Sequence, residues 1–145
     1  MKKAIFTFSL LVVAMLGFNS FAQDAPVISS NAIISIDKEV HDYGTIEQGA
    51  DGECFFTVTN TGTEPLILSR CKGSCGCTVP SCPQEPIAPG ASAKIKVKYD
   101  TNRVGPINKS VTITSNAGNE QNMIIRIKGQ IKAKPVDTPP APENN

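Results

Sequence analysis

Hydrophobic and polar residues alternate along several short segments in the central part of the chain. The clearest segment is Lys94–Tyr99, in which every second residue is apolar. Ile95, Val97 and Tyr99 fall on one face of an extended strand, and lysines fall on the other. No helical period of apolar residues occurs in this region. The predicted strands are Ile33–Asp37, Glu53–Asn60, Pro65–Arg70, Thr78–Val79, Lys94–Tyr99, Lys109–Thr114 and Gln121–Ile131.

Turn-forming residues separate these segments. The breaks at 60–62, 87–90, 102–106 and 116–119 contain the Gly, Pro and Asn residues that tight turns favour. About seven short strands in roughly 100 residues are typical of one immunoglobulin-like antiparallel β-sandwich, which we place at residues 32–132. The chain has no tryptophan, so it lacks the mark of an antibody domain.

The two ends of the chain differ from this strand-rich region. Lys2 and Lys3 precede an apolar run that ends in Ser20-Phe21-Ala22, which predicts a signal peptide at 1–22. The run is shorter than the ~20 apolar residues of a membrane span, so we do not expect it to be a membrane anchor. No later segment could span a membrane, so we expect no integral membrane segment in the mature chain. Residues 23–31 are predicted to be a linker. Residues 133–145 are predicted to be a disordered, proline-rich tail, because they offer little apolar surface to bury.

Charge narrows the class of partner. The formal net charge is +1 at pH 7, and removal of Lys2 and Lys3 leaves 12 basic against 13 acidic residues, or −1. A near-neutral domain argues against nucleic acid as a partner. We therefore expect a protein partner in the cell envelope and no cofactor. The predicted location is the periplasm, with the cell surface or the medium as alternatives.

Four of the five cysteines lie close together, at Cys71, Cys75, Cys77 and Cys82. An exported chain meets an oxidising environment, which favours disulfides. Two other hypotheses remain open. The four sulfurs could bind Cu(I) or Zn²⁺ as thiolates, or the Cys-x-Cys pair could close a small, strained disulfide that exchanges readily with thiols.

Two further residues have a simpler interpretation. Cys54 shares a strand face with Phe56 and Val58, so we interpret it as a small buried hydrophobe, with pairing to a cluster cysteine as the alternative. His41 is the sole histidine, and a nucleophilic Cys–His pair would require it beside a cluster thiol. We expect it instead on an edge strand, bonded to Asp42 or to the backbone. No phosphate loop or acid–base carboxylate pair stands out, and no enzyme is predicted.

Five motifs together resemble a known family. They are F-x-V-x-N-T-G-x-x-P-L at 56–66, S-C-G-C-T-V-P at 74–80, P-I-A-P-G at 86–90, I-x-V-x-Y-D at 95–100 and N-R-V-G-P-I-N-K at 102–109. In this order, over about residues 41–131, they resemble the exported bacterial proteins designated domain of unknown function 1573. The resemblance implies an immunoglobulin-like sandwich related to the domains of sperm major proteins and ciliary hydin. It implies no reaction.

The resemblance also divides the cysteine cluster. Cys75 and Cys77 match the family motif, whereas Cys71, Cys82 and Cys54 are additions in this chain. This implies that Cys71 and Cys82 form a disulfide with each other. Their positions on either side of a hairpin-like excursion are compatible with the ~4.4–6.8 Å between Cα atoms that a disulfide requires. Cys75 and Cys77 are then either bonded to each other or held as thiols.

These observations predict a non-catalytic immunoglobulin-like module with a structural or protein-interaction role in the cell envelope. The alternative is a metal-binding protein (Cu or Zn) or a thiol-redox protein centred on the Cys-Gly-Cys motif. The predicted partner-binding residue is Ile124, which leaves an apolar side chain on the outer face of the last strand. That strand or its neighbour would act as a sheet edge to which a partner strand adds.

Overall fold

The alternation of the sequence produces eight strands, and the predicted all-β sandwich is confirmed. The structure, a computed structural model, describes residues 30–135. The predicted signal peptide lies outside the described residues, as do most of the predicted linker and tail. The strands are β1 (Ile34–Ile36), β2 (Val40–Glu47), β3 (Glu53–Asn60), β4 (Leu68–Gly73), β5 (Thr78–Ser81), β6 (Ser92–Tyr99), β7 (Gly105–Ser115) and β8 (Asn122–Lys132).

Two four-stranded sheets enclose the core. One has the strand order β1-β3-β6-β5, and the other has the order β2-β8-β7-β4. All strand pairs are antiparallel except β2 and β8, which run parallel. The sandwich differs from a purely antiparallel one at this pair, because the chain leaves the first sheet after Ile36 and enters the second at Val40. Within residues 30–135, no helix has the length and apolar character needed to cross a membrane.

Strand β2 is the element that alternation alone does not predict. Gly44 adopts a φ of 62°, and the pairing with β8 shifts between Asp42 and Thr45. A bulge of this kind interrupts the two-residue period and bends the strand. His41 nevertheless lies on an edge strand, as expected from the sequence.

The core consists mainly of aliphatic side chains from the predicted inward faces. Ile95, Val97 and Tyr99 of β6 are buried, whereas the lysines between them are exposed. On β7 and β8 the same rule buries Val111, Ile113, Met123, Ile125 and Ile127. The two-residue period therefore determines which face of each strand meets the core.

Asn60 is a polar residue buried completely at the end of β3. Its side-chain amide donates to the carbonyls of Glu64 at 2.8 Å and Ile87 at 2.9 Å. Its Oδ1 accepts the amide of Gly62 at 3.0 Å. Because a buried polar group without partners is costly, these bonds determine how the chain leaves β3.

Edge strands β4 and β5 lie on the same side of the sandwich. Strand β4 is the edge of one sheet, and β5 is the edge of the other. The chain passes from β4 to β5 through residues 74–77, which contain the Cys-Gly-Cys motif. The motif therefore sits where the two sheets are joined along one side.

Candidate functional site

Two disulfides hold the connection between β4 and β5. The structure joins Cys71 to Cys82, with 6.0 Å between their Cα atoms, and Cys75 to Cys77, with 5.2 Å. Strand β4 begins three residues later than the sequence predicts, so Cys71 lies within it and not at its end. The first disulfide thus ties an edge of one sheet to the end of an edge strand of the other. The second closes the turn itself.

Gly73 allows the end of β4 to approach the start of β5. A Cβ added to Gly73 would collide with the carbonyl oxygen of Thr78. The backbone φ of Gly73 is not in the left-handed region, so the requirement here is for space and not for conformation. Only a residue without a side chain fits this approach.

Backbone hydrogen bonds attach the turn to both sheets. The Cys77 carbonyl accepts the amide of Asp100, at the end of β6, at 2.9 Å. The Ser74 amide donates to the carbonyl of Ser110 in β7 at 2.8 Å. Within the turn, the Cys75 carbonyl accepts the Thr78 amide at 3.2 Å. The turn is therefore positioned by contacts that do not involve the sulfur atoms.

The buried hydroxyl of Thr78 lies next to both sulfurs of the Cys-Gly-Cys disulfide. Its Oγ1 is 3.7 Å from Cys75 Sγ and 3.8 Å from Cys77 Sγ. Thr78 is 3% exposed and Cys77 is 5% exposed, whereas Cys75 is half-buried. The two sulfurs of one disulfide therefore differ in their access to solvent.

A polar groove runs beside the other disulfide, between β4 and β5. It has a volume of about 300 Å³ and is lined by Arg70, Cys71, Cys82, Gln84 and neighbouring residues. Most of its lining is polar. It lacks the apolar walls of a typical small-molecule pocket.

The structure does not bring the side chains of His41 or Met123, which could also bind a metal ion, to the cysteine cluster. His41 lies on β2, at the opposite edge of its sheet from β4, with β8 and β7 between them. Met123 pairs with Ile113, which in turn pairs with Cys71, so one strand separates the two sulfur residues. A Cys–His nucleophilic pair with a cluster thiol is therefore not formed.

His41 has an aromatic environment of its own. Its ring packs edge-on against Tyr43, with 4.6 Å between ring centroids, and more distantly against Phe56. Partial burial lowers the pKa of His41, and the charge of Lys38 lowers it further. The nearby Asp42 opposes these effects but does not reverse them. His41 is thus a largely neutral packing residue near pH 7.

Cys54 is buried and is not part of a disulfide. Burial raises the pKa of its thiol, which keeps the sulfur protonated and unreactive. Tyr43 beside it donates its hydroxyl to the Gly52 carbonyl at 2.7 Å. The interpretation of Cys54 as a buried hydrophobe agrees with this position.

A metal site at Cys71, Cys75, Cys77 and Cys82 would require reduction of both disulfides. Thiolates, and not disulfide sulfurs, are the metal ligands of cysteine. Among residues 30–135, no group of three or more His, Cys, Asp or Glu side chains is arranged to hold a metal ion.

Ile124 lies on the outer face of β8, where it is 50% exposed. Strand β8 is an internal strand, between β2 and β7, and the edge is its neighbour β2. The pairing with β2 begins only at Arg126, opposite Val40. Residues 122–125 therefore extend beyond the edge strand.

Two residues of the site give no signal in the hydrophobic pattern. Thr78 is a polar residue on a buried position, and only its neighbours in the fold explain its burial. Gly73 is one of 11 glycines in the chain, and its close approach to β5 depends on the pairing of strands. The clue that the sequence offered was that Thr78 ends the S-C-G-C-T motif and Gly73 directly precedes it.

The eight strands form a small immunoglobulin-like sandwich with a disulfide-bonded turn between β4 and β5. The chain belongs to the family described as "Protein of unknown function (DUF1573)", which matches residues 34–131. The predicted family is thereby confirmed. No curated protein matches the chain in sequence.

Solved structures share this fold at low sequence identity. A protein of unknown function from Porphyromonas gingivalis W83 is 17% identical with a TM-score of 0.63, covering 70% of this chain and 48% of that one. A PapD-like domain of human CEP192 is 11% identical with a TM-score of 0.61, covering 76% and 93%. The VesB protease of Vibrio cholerae is 17% identical with a TM-score of 0.57, covering 67% and 31%. This chain thus spans about half the length of the Porphyromonas protein.

Proposed function

We propose that this chain is an exported, non-catalytic interaction module of the cell envelope. Its partner is a protein that adds an extended strand beside the first residues of β8. The observation that carries the proposal is the stretch 122–125, which pairs with β7 on one side and has no partner strand within residues 30–135 on the other, together with the exposed side chain of Ile124.

The backbone of Ile124 faces the open side of the sheet. The amide of Arg126 donates to the carbonyl of Glu39 at 2.8 Å, so it points toward β2. Backbone groups two residues apart along a strand point the same way, and those of Ile124 therefore face the same side, beyond the start of β2. Such unpaired groups form a template for strand addition.

The side chains around this stretch fit a protein partner. Thr112 lies directly opposite Ile124 on β7, and Val40 is a second exposed apolar residue at the start of β2. Apolar side chains at a strand edge give specificity to main-chain pairing.

Relatives in fold are compatible with an interaction role. The neighbours include the PapD-like domain of CEP192 and the CupB2 chaperone of Pseudomonas aeruginosa, the latter at 10% identity and a TM-score of 0.50. The disulfides support export, because such bonds persist in oxidising compartments.

Site-specific photocrosslinking in the native host tests the proposal. A photoreactive residue at Ile124 is expected to capture a discrete partner, whereas the same residue at Val104 is not. Val104 is a matched control because it is 53% exposed but lies in the turn between β6 and β7. Identical adducts from both positions, or none from Ile124, would contradict the proposal.

A substitution at Ile124 provides a second test of the proposal. With the photoreactive residue at the neighbouring exposed Val40, Ile124→Lys is expected to weaken capture of the same partner by about tenfold or more, because it removes an apolar contact at the strand edge. Val104→Lys is expected to leave capture unchanged. Equal loss in both variants would indicate a general effect of charge and not a site.

A further inference from the structure

The Cys-Gly-Cys disulfide presents its two sulfurs unequally. Cys75 is half-buried and Cys77 is buried. Gly76 between them is exposed, and a Cβ built on it would have no heavy atom within 4 Å. An incoming thiol therefore has open space beside the turn and meets Cys75 first.

The hydrogen-bond partners of the Thr78 hydroxyl are these two sulfurs. A disulfide sulfur carries no hydrogen, so the hydroxyl is the donor, and its single hydrogen is shared between the two contacts at 3.7 and 3.8 Å. Among residues 30–135, no buried side-chain nitrogen or oxygen lacks a partner, and the partners of this hydroxyl are Cys75 Sγ and Cys77 Sγ. A donor at this place stabilises negative charge that develops on sulfur.

The turn does not depend on its own disulfide to keep its shape. Ser74 and Cys77 are bonded through their backbone to Ser110 and Asp100. The disulfide between Cys71 and Cys82 closes the base of the same connection. Opening of the Cys75–Cys77 bond can therefore leave the backbone in place, which lowers the cost of the reduced state.

We propose that Cys75 and Cys77 form a thiol–disulfide exchange site that oxidises a dithiol in a partner protein. The thiolate of the partner attacks Cys75 Sγ, a mixed disulfide forms, and the Cys75–Cys77 bond breaks. The bonding electrons leave on Cys77 as a thiolate, which accepts a hydrogen bond from Thr78 and takes up a proton from solvent. The second thiol of the partner, as its thiolate, then attacks the partner sulfur of the mixed disulfide and releases Cys75 as a thiolate, which takes up a proton from solvent.

The products balance. The partner dithiol loses two electrons and becomes a disulfide, and Cys75 and Cys77 gain them and become two thiols. The oxidant is the Cys75–Cys77 disulfide itself, so one transfer needs no other reactant. This site goes beyond the proposed strand-binding role, because it lies between β4 and β5 and uses no residue of β8.

Equilibration in glutathione buffers tests the proposal. The purified chain is incubated at a series of ratios of reduced to oxidised glutathione, quenched with an alkylating reagent and digested for mass spectrometry. The Cys75–Cys77 bond is expected to open at a ratio at least about tenfold less reducing than Cys71–Cys82, because a Cys-x-Cys pair closes a small, strained ring and strained disulfides are the labile ones. Simultaneous opening, or earlier opening of Cys71–Cys82, overturns the proposal.

A separate measurement shows which of the two sulfurs, Cys75 Sγ or Cys77 Sγ, is attacked. After brief exposure to excess glutathione, the expected adduct is a glutathione mixed disulfide on Cys75 with the alkylating label on Cys77. The opposite distribution overturns the assignment of Cys75 as the attacked sulfur. Neither result depends on partner capture at Ile124, so the two proposals fail independently.

The hydroxyl is tested with paired variants. Thr78→Val is expected to slow reduction of the Cys75–Cys77 bond by about tenfold, because it removes a hydrogen bond to a charged leaving group. Thr78→Ser restores the hydroxyl and is expected to restore the rate. Thr57→Val is the control, because Thr57 lies on the outer face of β3, outside both proposed sites. Slowing by Thr78→Ser as great as by Thr78→Val would show that packing, not the hydroxyl, matters.

Discussion

Ser74 and Ser110 are joined by a reciprocal pair of hydrogen bonds that anchors the Cys-Gly-Cys turn on β7. The amide of Ser74 donates to the carbonyl of Ser110 at 2.8 Å, and the amide of Ser110 donates to Ser74 Oγ at 3.2 Å. The second bond depends on the side chain and the first does not. The contribution of the side chain can therefore be measured alone.

Ser74→Ala is expected to lower the free energy of unfolding by about 0.5–1.5 kcal/mol, the usual net value of one hydrogen bond. Ser81→Ala is the control, because Ser81 is an exposed serine on β5. Urea unfolding of both variants gives the difference. An equal effect in the control would mean that the bond to Ser110 contributes nothing specific.

Gly73→Ala is expected to destabilise the protein by about 1–3 kcal/mol, because the added methyl group must displace the backbone of β5. Gly76→Ala is expected to change stability by no more than about 0.5 kcal/mol, as a surface substitution with free space around it. The pair differs only in the surroundings of one methyl group. Thermal and chemical unfolding of both variants measure the two losses of stability. Similar losses would count against the close approach of Gly73 to Thr78.

Replacement of both Cys71 and Cys82 by alanine is expected to cost about 2–3 kcal/mol, because the bond closes a short loop in the unfolded chain. The sequence separation is 11 residues. The double variant avoids an unpaired thiol that could form wrong disulfides. Denaturant unfolding under non-reducing conditions measures the change in the free energy of unfolding. A loss below about 1 kcal/mol would argue that the Cys71–Cys82 disulfide is not a stabilising element.

Protonation of His41 is expected to destabilise the folded protein at mildly acidic pH. Burial and Lys38 lower the pKa of His41 in the folded state. The unfolded chain therefore binds this proton at a higher pH than the folded chain, and stability falls as the pH drops below about 6.5. Comparison of unfolding free energies at pH 7 and pH 5 for the wild type and His41→Gln isolates this contribution. An equal loss in both proteins would assign the pH dependence to other groups.

The strands with a regular period were predictable from the residues alone. On β6 the faces follow directly from alternating lysines and apolar residues. Strand β2 was not predictable in this way, because Gly44 and the shift after Asp42 break the period. The start of β4 was misplaced because the apolar run begins at Leu66, which pairs with Ile87, whereas the pairing with β7 begins at Leu68.

The environment of the Cys-Gly-Cys turn could be predicted only in part. The sequence showed the cluster of four cysteines and predicted that it meets an oxidising compartment. The family resemblance separated Cys75 and Cys77 from the other cysteines. The position of the Thr78 hydroxyl beside the two sulfurs depends on how β5 leaves the turn. No spacing rule in the sequence carries that information.

The sequence by itself determined the all-β class, the inward face of most strands and the grouping of four cysteines, because these follow from a local two-residue period and from residue identity. The tertiary structure decided that β2 runs parallel to β8, that β8 is internal and that β4 and β5 are edges on one side. It also decided that Cys75 and Cys77 differ in exposure. These features depend on the order in which distant segments pair, which local alternation does not specify.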